Sequence, residues 1–123
     1  MKEATLTPET TATTVTPVEG RVHIFFDGGE IASTVKALKV EKPGRPPAVF
    51  VPLDAVHPGI LEASETRRED PDCGEAHFYT IKTLTADGPD AAWYFPYAEG
   101  IYEPIRDLLT FAGEGVEVRY SDV

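Results

Sequence analysis

Only one stretch of this chain repeats its apolar residues at helical spacing; elsewhere, short alternating runs are cut off by glycine or proline. A chain punctuated this way cannot stack long helices, so its core has to come from sheet. In Val22-His23-Ile24-Phe25-Phe26 the residues Val22, Ile24 and Phe26 share one face at period two. Asp27-Gly28-Gly29 then offers the positive-φ residues of a tight hairpin leading into Glu30 to Thr34. Val35 to Glu41 is closed by Pro43-Gly44-Arg45-Pro46-Pro47, because proline cannot donate to a ladder. Further strands are expected at Ala48 to Val51, Ile60 to Ser64, Glu75 to Leu84 as the longest, Ala91 to Phe95 and Val116 to Tyr120. Pro52 to Gly59 is a turn-rich link with one tight helical turn at Leu53 to Val56, and Glu65 to Gly74 has the composition of an exposed loop. The helical stretch is Tyr102 to Ala112, with Ile105, Leu108, Leu109 and Phe111 on one side, Pro104 in the first turn and Gly113 at the stop. The predicted architecture is mostly β: compact curved antiparallel sheets with one short helix near the C-terminus.

At 123 residues there is material for one core. Residues 1–19 are rich in threonine and poor in large apolar groups, which predicts a flexible N-terminal arm ahead of a single β-rich domain over 20–123. The alternative is a short edge strand around Thr13 to Val18. A net charge of −10 with no basic face argues against nucleic acid and against anionic membrane surfaces. No run of about eighteen apolar residues suggests a membrane span, and the first residues lack the apolar core of a signal peptide. The lone cysteine, Cys73, excludes an intramolecular disulfide and a zinc site needing two thiolates, and fits a reducing cytoplasm. Oligomeric state is not legible.

Several short motifs in order resemble the bacterial and fungal domain of unknown function 427 family: Gly29, Glu30, Ala32 and Ser33 in the opening hairpin; Phe50-Val51-Pro52; Leu61-Glu62-Ala63-Ser64; Gly74-Glu75-Ala76 with Phe78-Tyr79; and Ala91-Ala92-Trp93-Tyr94-Phe95-Pro96. The resemblance runs from about Arg21 to Tyr120. It implies a fold of the β-tent (Mss4-like) kind with aromatic residues near the mouth of a groove, and it implies no activity. Relative to the family pattern, Asp70 stands where a cysteine is usual and Cys73 where a lysine is usual; Pro52-Leu53-Asp54-Ala55 replaces a Pro-Arg-x-Asp run.

The residues themselves suggest three kinds of site. Cys73 and His77 could form a thiolate–imidazole pair, yet an extended strand separates them by roughly 13 Å, and the carboxylates of Asp70, Asp72 and Glu75 disfavour a thiolate. Metal is not expected: Asp70-x-Asp72-x-Gly74 sets its glycine one position early for a calcium loop, and His23, His57 and His77 lie on separate segments. No cofactor is indicated, since Gly28-Gly29 fits a hairpin better than a phosphate-binding loop. The aromatic strands are the remaining lead, because tryptophan and tyrosine wall a pocket while offering N–H and O–H groups. Strand alternation sends Trp93 and Phe95 to one face and Tyr94 to the other, against a background expectation of core packing.

The preferred expectation is a small-molecule ligand in an aromatic-lined groove bounded by Trp93, Tyr79, His77, Glu62, Asp72 and Cys73. The alternatives are a protein-interaction module using its acidic surface or a sheet edge, and a Cys73-dependent enzyme.

Overall fold

The computed structural model describes residues 13–122. Ten strands run in order: β1 Thr14–Pro17, β2 Arg21–Phe26, β3 Gly29–Thr34, β4 Leu38–Glu41, β5 Ala48–Val51, β6 Leu61–Asp70, β7 Gly74–Lys82, β8 Asp87–Tyr94, β9 Leu109–Phe111 and β10 Val116–Ser121. They form a seven-stranded sheet, β1-β4-β5-β9-β8-β7-β6, and a three-stranded sheet, β10-β2-β3, with every pairing antiparallel. Helical structure among the described residues is confined to 3-10 turns at Leu53–Ala55 and Gly100–Ile105. No helix there is long and apolar enough to cross a membrane.

The opening hairpin has both central residues at positive φ, Asp27 at 52° and Gly28 at 85°. That pair matches the strand twist of a two-residue connection. Alternation along β2 drives Val22, Ile24 and Phe26 inward. They join Ile31, Val49, Val51, Ile81, Leu109 and Phe111 in the main core, which draws on both sheets. Ile24, Ile81 and Leu109 are almost wholly buried. Each contributes about 1.5–3 kcal/mol of apolar transfer free energy.

The expected helix over Tyr102 to Ala112 does not form. Gly100–Ile105 makes a 3-10 turn with Pro104 inside it, Asp107 takes a left-handed φ of 69°, and Leu109–Phe111 becomes β9. Pairing explains the outcome: Thr110 and Leu109 lie opposite Phe50 and Val51, and Phe111 and Thr110 lie opposite Ala92 and Trp93. Two flanking ladders satisfy the backbone of these residues better than a short, proline-containing helix could.

Other boundaries move too: β6, not β7, is the longest strand, and β8 begins at Asp87 rather than Ala91. The polar stretch expected as a loop after Ser64 continues as strand β6 to Asp70, interrupted by a bulge between Ala63 and Arg67. An edge strand tolerates charge on both sides, and charge with a bulge discourages pairing with other chains. At the opposite edge Thr14–Pro17 pairs with β4 as β1. Of the expected arm over 1–19, residues 1–12 lie outside the described residues.

Candidate functional site

The face of the large sheet turned away from the small one carries a second cluster, including Val40, Phe50, Phe78, Phe95, Tyr102 and Ile105. Register builds it. Leu38 pairs with Phe50, Phe50 with Thr110, Thr110 with Trp93, and Trp93 with Phe78, so one row crosses β4, β5, β9, β8 and β7. Successive strands lie about 4.8 Å apart, which brings the side chains of such a row into contact. Thr110 is the one short side chain in it, set between two aromatic neighbours.

A cavity of about 250 Å³ opens over that shortfall. Its apolar walls are Val40, Ala48, Phe50, Phe95, Ile105 and the Trp93 indole; Lys42, Arg45, Asp70, Cys73 and Thr110 bring polar groups to it. Trp93 is half-buried and stacks on Phe78, ring centroids 5.4 Å apart at 33°. Thr110 is only 4 % exposed, and its hydroxyl finds no hydrogen-bond partner among the described residues. A buried hydroxyl left unpaired carries a desolvation penalty that a ligand could relieve.

The mouth is shaped by the β6–β7 hairpin. Asp70 Oδ1 accepts the backbone N–H groups of Asp72 at 2.8 Å and Cys73 at 2.9 Å, and Gly74 turns the chain at a φ of 83°. This fold-back places Cys73 and Asp70 in the cavity wall. Lys42, just beyond β4, donates to Asp72 Oδ2 at 2.8 Å while its ammonium lies 5.5 Å from the Tyr102 ring centroid. Burial favours the neutral amine, but the bond to Asp72 and the charge of Asp70 outweigh it and raise the Lys42 pKa above its ordinary value. The Cys73 thiol is pushed up to about 11, chiefly by burial and further by the Asp70 carboxylate. At neutral pH Cys73 is therefore a thiol, a poor nucleophile.

The six residues expected to share one groove divide between two faces. Trp93 and Cys73 line the cavity, and Asp72 reaches its mouth through Lys42. His77 and Tyr79 do not join them, because alternation along β7 turns them opposite to Phe78. There His77 packs edge-on against Tyr94 and Tyr97, with centroids at 5.5 and 5.9 Å, and bonds through Nε2 to Glu75 Oε1 at 2.8 Å. Tyr79 lies against Tyr94 at 5.8 Å, beside a separate hollow of about 200 Å³. Glu62 sits on the exposed edge strand, 3.7 Å from Lys82 Nζ. His23, His57 and His77 remain on different segments, and no cluster of three or more histidine, cysteine or carboxylate groups suited to a metal occurs among the described residues.

Lys42, Arg45, Phe50, Ile105 and Thr110 were missed from sequence. Lys42 and Arg45 flank a proline-rich turn that reads as surface. Thr110 could not be placed beside Trp93 while its segment was expected to be helical.

No curated protein matches the chain. The model of the family described as Domain of unknown function (DUF427) matches residues 14–122, from β1 to the end of β10. With nearly the whole folded chain inside that match, the protein belongs to the domain of unknown function 427 family.

Proposed function

We propose that the protein binds a small, mainly apolar organic ligand bearing one anionic group in the cavity beside Trp93. The observation that carries this reading is the buried Thr110 hydroxyl, unpartnered among the described residues and set in the wall of a mainly apolar hollow. Ligand sites combine apolar walls with a few polar groups that fix orientation. Here Thr110 supplies the inner polar contact, and Lys42 and Arg45 stand for an anion at the mouth. The volume lies below the roughly 300–1,000 Å³ of drug-sized sites, which favours a ligand the size of a single ring with a short substituent.

The resemblance supports a finer reading of the fold, in which the two sheets are the halves of a β-tent. The interaction-module alternative draws on the exposed β6 edge, yet that edge is bulged and bears Glu62, Glu65, Arg67, Arg68 and Glu69, features that resist strand addition. The Cys73-dependent alternative is disfavoured by the raised thiol pKa.

The test is a thermal-shift comparison of benzoate with benzamide, and indole-3-carboxylate with its amide, on wild type and Trp93→Ala. A saturating ligand at a hundredfold its Kd adds about 2.7 kcal/mol to stability. Carboxylates should stabilise wild type more than their amides do, and Trp93→Ala should lose the effect. Equal shifts in both proteins would remove the cavity from consideration.

A further inference from the structure

The outer face of the small sheet holds a second constellation, remote from the cavity. Val22, Ile24 and Phe26 point into the core, so alternation sends Arg21, His23 and Phe25 outward. The β10 ladder sets Arg119 opposite His23 and Ser121 opposite Arg21. On the other side, a bulge between Ile24 and Phe25 shifts the β2–β3 register and puts Glu30 opposite Phe25, one residue row from His23. The result is a chain of two short bonds. His23 Nδ1 lies 2.6 Å from Glu30 Oε2, and His23 Nε2 lies 2.8 Å from Ser121 Oγ.

One imidazole tautomer satisfies both bonds: Nδ1–H donates to the carboxylate, and Nε2 accepts from the serine hydroxyl. The same order of hydroxyl, base and orienting acid defines nucleophilic acyl transfer on unrelated folds. From these distances we propose that Ser121, His23 and Glu30 form an esterase relay acting on small acyl esters.

In the proposed reaction Ser121 Oγ attacks the ester carbonyl carbon and its proton passes to His23 Nε2. The new C–O bond leaves an oxyanion, for which Arg21, directly across the ladder from Ser121, is the placed cation. One of its N–H groups is held by Ser33 Oγ at 3.0 Å. Collapse breaks the ester C–O bond, and the departing alkoxide takes the proton from Nε2. Water then attacks the acyl-serine by the same route, releasing a carboxylic acid and restoring Ser121. Phe25 provides the adjoining apolar surface, 6.4 Å from the His23 ring by centroid and under the Arg119 guanidinium at 4.7 Å. Both His23 and Glu30 are partly open to water, at 24 % and 35 % side-chain exposure. An open face with one ring beside the base suits a short acyl group on a good leaving group.

The experiment uses two probes on the full chain, p-nitrophenyl acetate for turnover and an aryl fluorophosphonate for covalent capture read by intact and peptide mass. A merely structural Ser121–His23 bond would move neither. Wild type should hydrolyse the ester and take up a single phosphonyl group on Ser121. Ser121→Ala and His23→Asn should lose the adduct and slow hydrolysis by roughly 10²–10⁴-fold, the range for positioned acid–base catalysis. Glu30→Gln should fall between, while Glu65→Gln on the exposed β6 edge should keep the wild-type rate. The variants sit on a solvent-facing surface, so matching melting temperatures are expected and separate loss of chemistry from loss of fold. No adduct on wild type, an adduct on another residue, or unchanged turnover in Ser121→Ala would each overturn the proposal. None of these outcomes bears on ligand binding at Trp93.

Discussion

Lys42 and Asp72, thirty positions apart in sequence, meet at 2.8 Å and tie the end of β4 to the tip of the β6–β7 hairpin. The bond spans the mouth of the cavity. It is also the main favourable contact behind the raised pKa of the lysine, opposing the burial that acts the other way.

Lys42→Met keeps the stem over Tyr102 and removes the charge. Because Asp72 is 45 % exposed and Lys42 22 %, the loss of stability should stay below about 1 kcal/mol and shrink in high salt. Urea unfolding at low and 1 M salt measures it. The same variant should lose the preference for carboxylate over amide in the thermal-shift comparison; a retained preference would take Lys42 out of the proposed anion site.

Cys73 should resist thiol reagents in the folded protein. With the ordinary value at 9.0 and the folded value pushed up to about 11 by burial and by Asp70, the thiolate is scarce at pH 8 and the sulfur is covered. Reaction with an aromatic disulfide reagent should be slow in buffer and fast in urea. A raised folded pKa means that the stability this group contributes is complete below pH 9.0 and is lost as pH climbs through about 11. Stability compared between wild type and Cys73→Ala across that alkaline window should show the difference closing.

Thr110→Val swaps a hydroxyl with no partner among the described residues for a methyl of similar shape. Removing a buried polar group without a partner should raise stability by about 1 kcal/mol, read by urea unfolding. Ligand-induced stabilisation should fall at the same time. Gain and loss together mark a hydroxyl reserved for a ligand; lowered stability would show that the hydroxyl is already satisfied.

Gly88→Ala should destabilise the main core. A Cβ there would stand 2.9 Å from two ring atoms of Phe26, which is itself packed inside the core. Overpacking of this kind costs about 1–3 kcal/mol. Phe26→Leu in the same background should recover part of the loss, and purely additive effects would contradict the steric origin.

Local signals were read correctly where the physics is local. Asp27-Gly28 indicates a tight turn because both positions adopt positive φ, and the alternation of Val22, Ile24 and Phe26 marks their buried face. Leu108, Leu109 and Phe111 misled because three apolar residues so close together fit a helical stripe as well as a strand. Charges over Glu65 to Asp70 misled because an edge strand and a loop are both wet. Trp93 and Cys73 were identifiable as site candidates from their own chemistry. The link from His23 to Ser121 was not, since 98 residues separate them.

Composition and short-range patterning settle the sheet-forming character, the turns, the acidic charge and the single thiol. Long-range pairing decides the rest. The row Leu38–Phe50–Thr110–Trp93–Phe78 exists only because five strands align in register, and the hollow exists because its central member is small. Register is set by burial on one face and by turn geometry many residues away, so no window of the chain contains it.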